Sequence, residues 1–264
     1  MNKRSLSLLM AVGLGFLSSP AAAAWCKHKG DREAVEGLGE ITTVEIFARA
    51  GEMEVTGRAD TTEVRARGEA CAEREDMLAV MGITMQRLPD RLLVLVEMPD
   101  ISGETNRAWK DKNAIMDLRV DLPSSVSVIV HDSSGGMELS NLGNVEITDS
   151  SGDIEIRQTA NVLIPQDSSG EIYMRDVGAV TIQVDSSGEI HIEGADSVTI
   201  ANDTSGDIRL ERVQGDVLIG NDSSGSISVR EVGGNFIVEN DTSGGISYRD
   251  VAGAVSIPES RQGS

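Results

Sequence analysis

Seven aspartates recur at nearly even spacing in the second half of this chain: Asp132, Asp149, Asp167, Asp185, Asp203, Asp222 and Asp241. Each opens an Asp-(Ser/Thr)-Ser-Gly motif, and successive motifs lie 17 to 19 residues apart. Carboxylates repeated in this way have two chemistries open to them. They could ligate a hard divalent cation such as calcium. A pair on neighbouring repeats could also act as acid and nucleophile in glycoside hydrolysis. The motif itself is turn chemistry. An Asp side chain accepts backbone N–H bonds two residues on, and Gly allows positive φ. The seven aspartates are therefore read as a structural turn ladder. The motif is not the Gly-Gly-x-Gly-x-Asp nonapeptide of calcium-binding coils. Stacked rungs would lie about 4.8 Å apart, which repels unless solvent, hydrogen bonds or a cation relieves it.

An active site breaks symmetry, whereas each repeat here offers the same residues. His131 and His191 stand singly, and Tyr173 and Tyr248 are the only tyrosines. No enzyme is expected, with a polysaccharide-cleaving enzyme as the less favoured alternative. Two further columns follow from the repeat. Four residues after each motif Asp come Gly136, Asp153, Glu171, Glu189, Asp207, Ser226 and Gly245. The acidic stretch Asp153, Glu171, Glu189 and Asp207 has no evident internal partner and is the candidate binding face, for a cation or a cationic partner. Eight residues after each Asp, Arg175 should meet Glu193 and Glu211 should meet Arg230 on adjacent coils.

A regular period this short implies stacked coils, because one unit cannot bury a core alone. In Asp203–Leu210, Ile208 and Leu210 alternate with charged residues, as in a strand with one buried face. A corner with an apolar plug follows, such as Val177, Val213, Val232 or Val251. A second strand comes next, for example Val198/Ile200 or Val217/Ile219. Continuing that alternation points Asn202, Asn221 and Asn240 inward as an amide ladder that satisfies buried polar groups. Residues 51 to 66 read as a degenerate first coil, with Met53/Val55 and then Glu63–Ala66 as its two strands. A short helix near Glu73–Met81, a hairpin turning at Pro89-Asp90 and a polar loop from Glu104 to Asn113 interrupt the stack. Leu118–Pro123 and Val126–Val130 lead into the repeats.

The first 24 residues carry a basic start at Lys3 and Arg4, an apolar run from Leu6 to Leu17 and a small-residue end at Ala22-Ala23-Ala24. This is the pattern of a cleaved signal peptide, and the apolar run is too short to span a bilayer. Export to the periplasm or cell surface is expected, without membrane insertion after cleavage. In an oxidising compartment Cys26 and Cys71, the only cysteines, pair as a disulfide. The formal net charge is −20. From residue 132 onward there is no lysine, and acidic residues outnumber arginines 23 to 7. That excludes nucleic acid as a partner, since phosphate binding needs a basic face.

Leu118-x-Val-x-Leu-Pro-Ser-Ser-Val-Ser-Val, followed by tandem Ser-Gly-x-Ile-x-Ile and Gly-x-Val-x-Ile units, resembles a bacterial adhesin-type domain family of unknown function. The resemblance covers residues 41 to 258 and offers no catalytic residues. It implies an all-β fold: a single-stranded, right-handed parallel β-solenoid of about seven 17–19-residue coils with a β-rich N-terminal cap. The expected organisation is a signal peptide (1–24), a cap with the degenerate coil and hairpin (25–131), the repeats (132–258) and a polar tail (259–264). The function expected is a rigid, adhesin-like interaction scaffold of the cell envelope. It would need no cofactor, and its partner would be an envelope protein or glycan. A divalent-cation-dependent binding module, with calcium as the cation, is the main alternative.

Overall fold

Strict two-residue alternation of Ile, Val and Leu with polar residues gives each strand one buried face. In the computed structural model, which describes residues 25–258, these faces meet in a β-solenoid of about seven turns. Two parallel sheets face each other across one core. The first carries the column Met137, Ile154, Ile172, Ile190, Ile208, Ile227 and Ile246, each the register partner of the next. The second carries Val128, Val145, Val162, Val180, Val198, Val217, Phe236 and Val255. A one-residue slip would turn every apolar side chain outward, so burial fixes this register.

The N-terminal half continues both sheets in an order different from that of the chain. Its strands are β1 (His28–Gly37), β2 (Thr43–Phe47), β3 (Met53–Arg58), β4 (Glu63–Ala72), β5 (Gly82–Arg87), β6 (Leu92–Glu97) and β7 (Ala114–Pro123). The first repeat coil follows as β8 (Ser127–His131) and β9 (Met137–Ser140). β2 and β3 form the coil that stacks directly on β8 and β9. β6 and β7, later in sequence, stack outside β2 and β3. The expected pairing of Met53/Val55 with Glu63–Ala66 in one coil is therefore corrected. The companion of β3 is the preceding β2, whereas β4 reverses and pairs antiparallel with β7 and β1.

This reversal ends the parallel stack. β5 closes the second sheet by antiparallel pairing with β6, the hairpin expected at Pro89-Asp90. The outermost strand, β1, exposes Lys29, Asp31 and Glu33, charges that discourage edge-to-edge association. The short helix α1 (Glu75–Leu78) inserts Met77 beneath this cap. Cys26 and Cys71 are joined by a disulfide with Cα atoms 5.6 Å apart, which ties the chain just before β1 to β4. At the other end, the strands Ile246–Val251 and Val255–Ser256 leave Tyr248 and Val255 exposed. The leader-like segment and the tail from Glu259 lie outside the described residues.

The two corners of each coil use different devices. At the motif corner the glycine adopts positive φ. At Gly206 φ is +134°, and an added Cβ would collide with the carbonyl oxygen of Gly188 on the preceding coil. The second Ser of each motif binds the coil behind it, as when Ser205 Oγ donates to the Ser186 carbonyl at 3.1 Å. The opposite corner places a left-handed residue just before the inward plug. Arg212 (φ 56°) precedes Val213, and Glu231 (φ 56°) precedes Val232. Thr159 takes the plug position in its own coil and is buried.

Candidate functional site

The motif aspartates face the interior. Asp149, Asp167, Asp185, Asp203 and Asp222 are no more than 2% exposed, and Asp132 and Asp241 no more than 9%. Successive rungs pair in register, Asp167 with Asp185, Asp185 with Asp203, Asp203 with Asp222 and Asp222 with Asp241. The carbonyls of Asp167, Asp185, Asp203 and Asp222 accept N–H groups of the next coil. The Asp185 carbonyl accepts from Thr204 N–H at 3.1 Å, and the Asp222 carbonyl from Thr242 N–H at 2.9 Å. Their carboxyls are sparsely engaged. Asp149 Oδ1 accepts from Ser150 N–H at 2.7 Å, and Asp203 Oδ1 from Ser205 N–H at 3.2 Å. Both carboxyl oxygens of Asp132, Asp167, Asp185 and Asp222 are enclosed and accept no well-formed hydrogen bond, with only N–H groups of their own motifs approaching them.

The ladder closes turns, and its side chains are also buried inside the coils. Burial pushes these carboxyls up, to about 7 at Asp132, Asp167 and Asp203 and to about 6 at Asp185 and Asp222. Neighbouring rungs add to the rise at Asp132, Asp167, Asp203 and Asp222, while the motif N–H groups oppose it. Asp149 is raised for the same leading reason, burial.

Asn202, Asn221 and Asn240 do form a ladder, but outside the coil, which corrects the inward placement. Asn221 Nδ2 donates to Asn202 Oδ1 at 3.0 Å, and Asn240 Nδ2 to Asn221 Oδ1 at 3.0 Å. All three residues are exposed. The cause is one extra residue. Ile200 and Asp203 both point inward although two residues, Ala201 and Asn202, lie between them, and the register pairing skips Ala201 and Gly220. An inserted residue of this kind reverses the side-chain alternation, as in a β-bulge. In the first two coils the insertion is absent. Val128-Val130-Asp132 and Val145-Ile147-Asp149 point inward at every second residue. That alternation is the sequence signal that marks the aspartates as interior.

The acidic column is less free than its sequence suggests. Asp153 Oδ1 accepts the Glu171 N–H at 3.0 Å, and Asp207 Oδ1 accepts the Ser226 N–H at 2.9 Å. Arg209 pairs with Glu189 and, at 3.1 Å, with Asp207. Glu171 lines a shallow surface depression of about 410 Å³ with Asp153, Tyr173 and Arg175. The expected cross-coil pairs are present: Arg175–Glu193 at 2.6 Å, and Arg230 with Glu211. Arg212 also reaches Glu193 at 2.6 Å, and together the two arginines hold the Glu193 carboxyl down to about 2.

One place breaks the repeat symmetry, and sequence reasoning passed over it. Where β2 meets β8, the His131 ring stacks on Phe47 at 4.6 Å and its Nε2 lies 3.0 Å from Glu45 Oε1. Arg91 reaches the other Glu45 oxygen at 3.0 Å. Beside them lies an open groove of about 630 Å³, lined by Phe47, Arg49, Leu95, Met98, His131 and Asp132 among others. The signal was available, since His131 and Phe47 occupy strand ends where the next two coils carry Thr148 and Gln166.

No protein-family model matches the chain, and no curated protein matches it. Solved structures resemble it at low identity. A "putative lipid binding protein" from Parabacteroides distasonis ATCC 8503 is 14% identical with a TM-score of 0.49, covering 88% of this chain and 98% of its own. A "putative adhesin" from Bacteroides fragilis NCTC 9343 is 15% identical with a TM-score of 0.44, covering 88% and 99%. A "putative cell adhesion protein" from Clostridium sporogenes ATCC 15579 is 9% identical with a TM-score of 0.37, covering 87% and 98%.

Proposed function

We propose that this chain is an exported, non-catalytic protein of the cell envelope that presents its repeat surface as a rigid interaction scaffold. The observation that carries this reading is the continuous parallel pairing of both sheets from β6 and β7 to the last coil. In such a stack each coil braces the next, and outward columns of like residues are held at fixed spacing. A partner that reads several coils at once gains from that spacing, because little ordering entropy is lost on binding. The surface offered is acidic and polar, with the exposed Asn ladder on one side and the Arg–Glu column on another. It suits an envelope protein or glycan that approaches with hydrogen-bond donors or cationic groups. The leader-like N-terminus and the disulfide support export to an oxidising compartment.

The test is protease shaving of intact cells, followed by immunoblotting of the cell and released fractions. Loss from intact cells is expected for a surface adhesin, and protection until the envelope is opened for a periplasmic scaffold. Retention with the cytosolic fraction sinks the proposal. Release of reducing sugar from a glycan panel would instead make the chain an enzyme.

A further inference from the structure

We propose that the buried aspartates form a proton-sharing column, in which carboxylic acid and carboxylate groups of successive coils hydrogen-bond to each other along the core. The coil stack is then held most tightly at mildly acidic pH and loosens as the shared protons leave. Three observations and one chemical fact lead there. The rungs from Asp132 to Asp222 are buried inside the coils. No well-formed hydrogen bond reaches either carboxyl oxygen of Asp132, Asp167, Asp185 or Asp222, and the only donors that approach are N–H groups of their own motifs. Consecutive rungs from Asp167 to Asp222 are register partners, so they lie one strand spacing apart, about 4.8 Å. An ionised carboxylate only accepts hydrogen bonds, whereas a protonated one also donates. In a column of identical acids, a proton taken from solvent is the group that turns an acceptor into a donor.

The surroundings disfavour charge from every side. Among the described residues, the only buried polar side chains besides these aspartates is that of Thr159, at the opposite corner. No buried cation therefore faces the column. The ionisable neighbours that act on it are themselves acidic: the adjacent rungs, Glu52 beside Asp132, and Asp207 beside Asp222. The nearby arginines are engaged by exterior acids, Arg209 with Glu189 and Asp207, Arg175 and Arg212 with Glu193, and Arg230 with Glu211. The favourable polar contacts are N–H groups of the motifs themselves, within hydrogen-bond distance at Ser150 and Ser205 and looser at the other rungs.

The upward shifts to about 6 or 7 agree in direction. A folded-state pKa above the unfolded value means that folding takes up protons. The resulting stability is fully present below the unfolded carboxylate range, near pH 4, and is lost as pH rises through about 6 to 7.

The experiment uses the chain after treatment with chelator. Carboxyl-carbon NMR of Asp-labelled protein reads the titration, and thermal unfolding between about pH 5 and pH 8 reads the consequence. Rung carbons are expected to titrate near pH 6 to 7, with a melting temperature that falls by several degrees across that interval. The double variant Asp185→Asn/Asp203→Asn keeps shape and a donor without a charge. It is expected to melt above the unsubstituted chain at pH 8 and to show a flatter pH dependence. Rung carbons that titrate at pH 4 or below would overturn the proposal, as would a melting temperature that rises with pH. A melting temperature at pH 8 that calcium restores after chelation would also overturn it, because a cation would then be holding the column. If the variant does not fold, the titration of the unsubstituted chain decides alone.

Discussion

At the scale of single residues, the motif divides its labour. Asp enters the core, the second Ser binds the coil behind, and Gly lets the backbones close up. Gly206 is the sharpest case, because both its φ of +134° and the Gly188 carbonyl exclude a side chain. Gly206→Ala is expected to cost at least about 2 kcal/mol, by strain and by local separation of two coils. Urea unfolding measures it, and a loss within about 0.5 kcal/mol, the range of ordinary surface changes, would show that the corner can relax. Glu193 lies at the other extreme. Arg212 and then Arg175 lower its carboxyl, so its contribution is present above the usual glutamate range and lost as pH falls through about 2. Glu193→Gln is expected to flatten the acid limb of a stability profile at low salt and to change little at high salt. This slope is opposite in sign to that of the buried aspartates, which places the stability maximum between the two titrations, in mildly acidic solution.

At the scale of elements, inward and outward ladders make different demands. Ile208 packs between Ile190 and Ile227 with no exposure. Ile208→Ala is expected to cost about 2–5 kcal/mol, since stiff flanking coils cannot collapse into the space. Asn221→Ala breaks the amide hydrogen bonds to Asn202 and from Asn240, together with a long one to the Ala201 carbonyl. They lie where water can replace them, so the cost is expected to stay below about 1 kcal/mol. Equal losses in chemical denaturation would mean that the amide ladder is far better shielded than its exposure indicates. The strands Val198/Ile200 and Val217/Ile219 were legible in sequence because period-two alternation survives within a strand. The inward placement of the Asn ladder failed because one residue inserted after Ile200 is invisible to a count that assumes unbroken alternation.

At the scale of the whole molecule, the solenoid is close to one-dimensional, and each coil feels mainly its neighbours. The Cys26–Cys71 bridge lies wholly in the cap, between the start of β1 and the end of β4. The separation of 45 residues corresponds to roughly 4 kcal/mol of chain entropy. Its removal is expected to act locally. In Cys26→Ser/Cys71→Ser, hydrogen exchange should accelerate in β1, β4 and β5 and stay slow in the coils around Asp203. Uniform acceleration along the chain would instead indicate a single cooperative unit. The groove at Phe47 and His131 lies at the cap, so cap loosening and any binding there should change together.

The sequence alone determined the coil period, the two strand columns, the cross-coil Arg–Glu pairs and the cysteine pairing. Each is a short-range pattern, or follows directly from stacking identical units. The tertiary structure alone decided the rest. It placed β6 and β7 outside β2 and β3, since two coils of similar apolar pattern carry no mark of their stacking order. It turned β4 antiparallel, because the stack needs an end and period-two alternation serves either strand direction. It carried the aspartates inside, because side-chain parity depends on where the backbone inserts a residue, and that is settled only when the coils close on their common core.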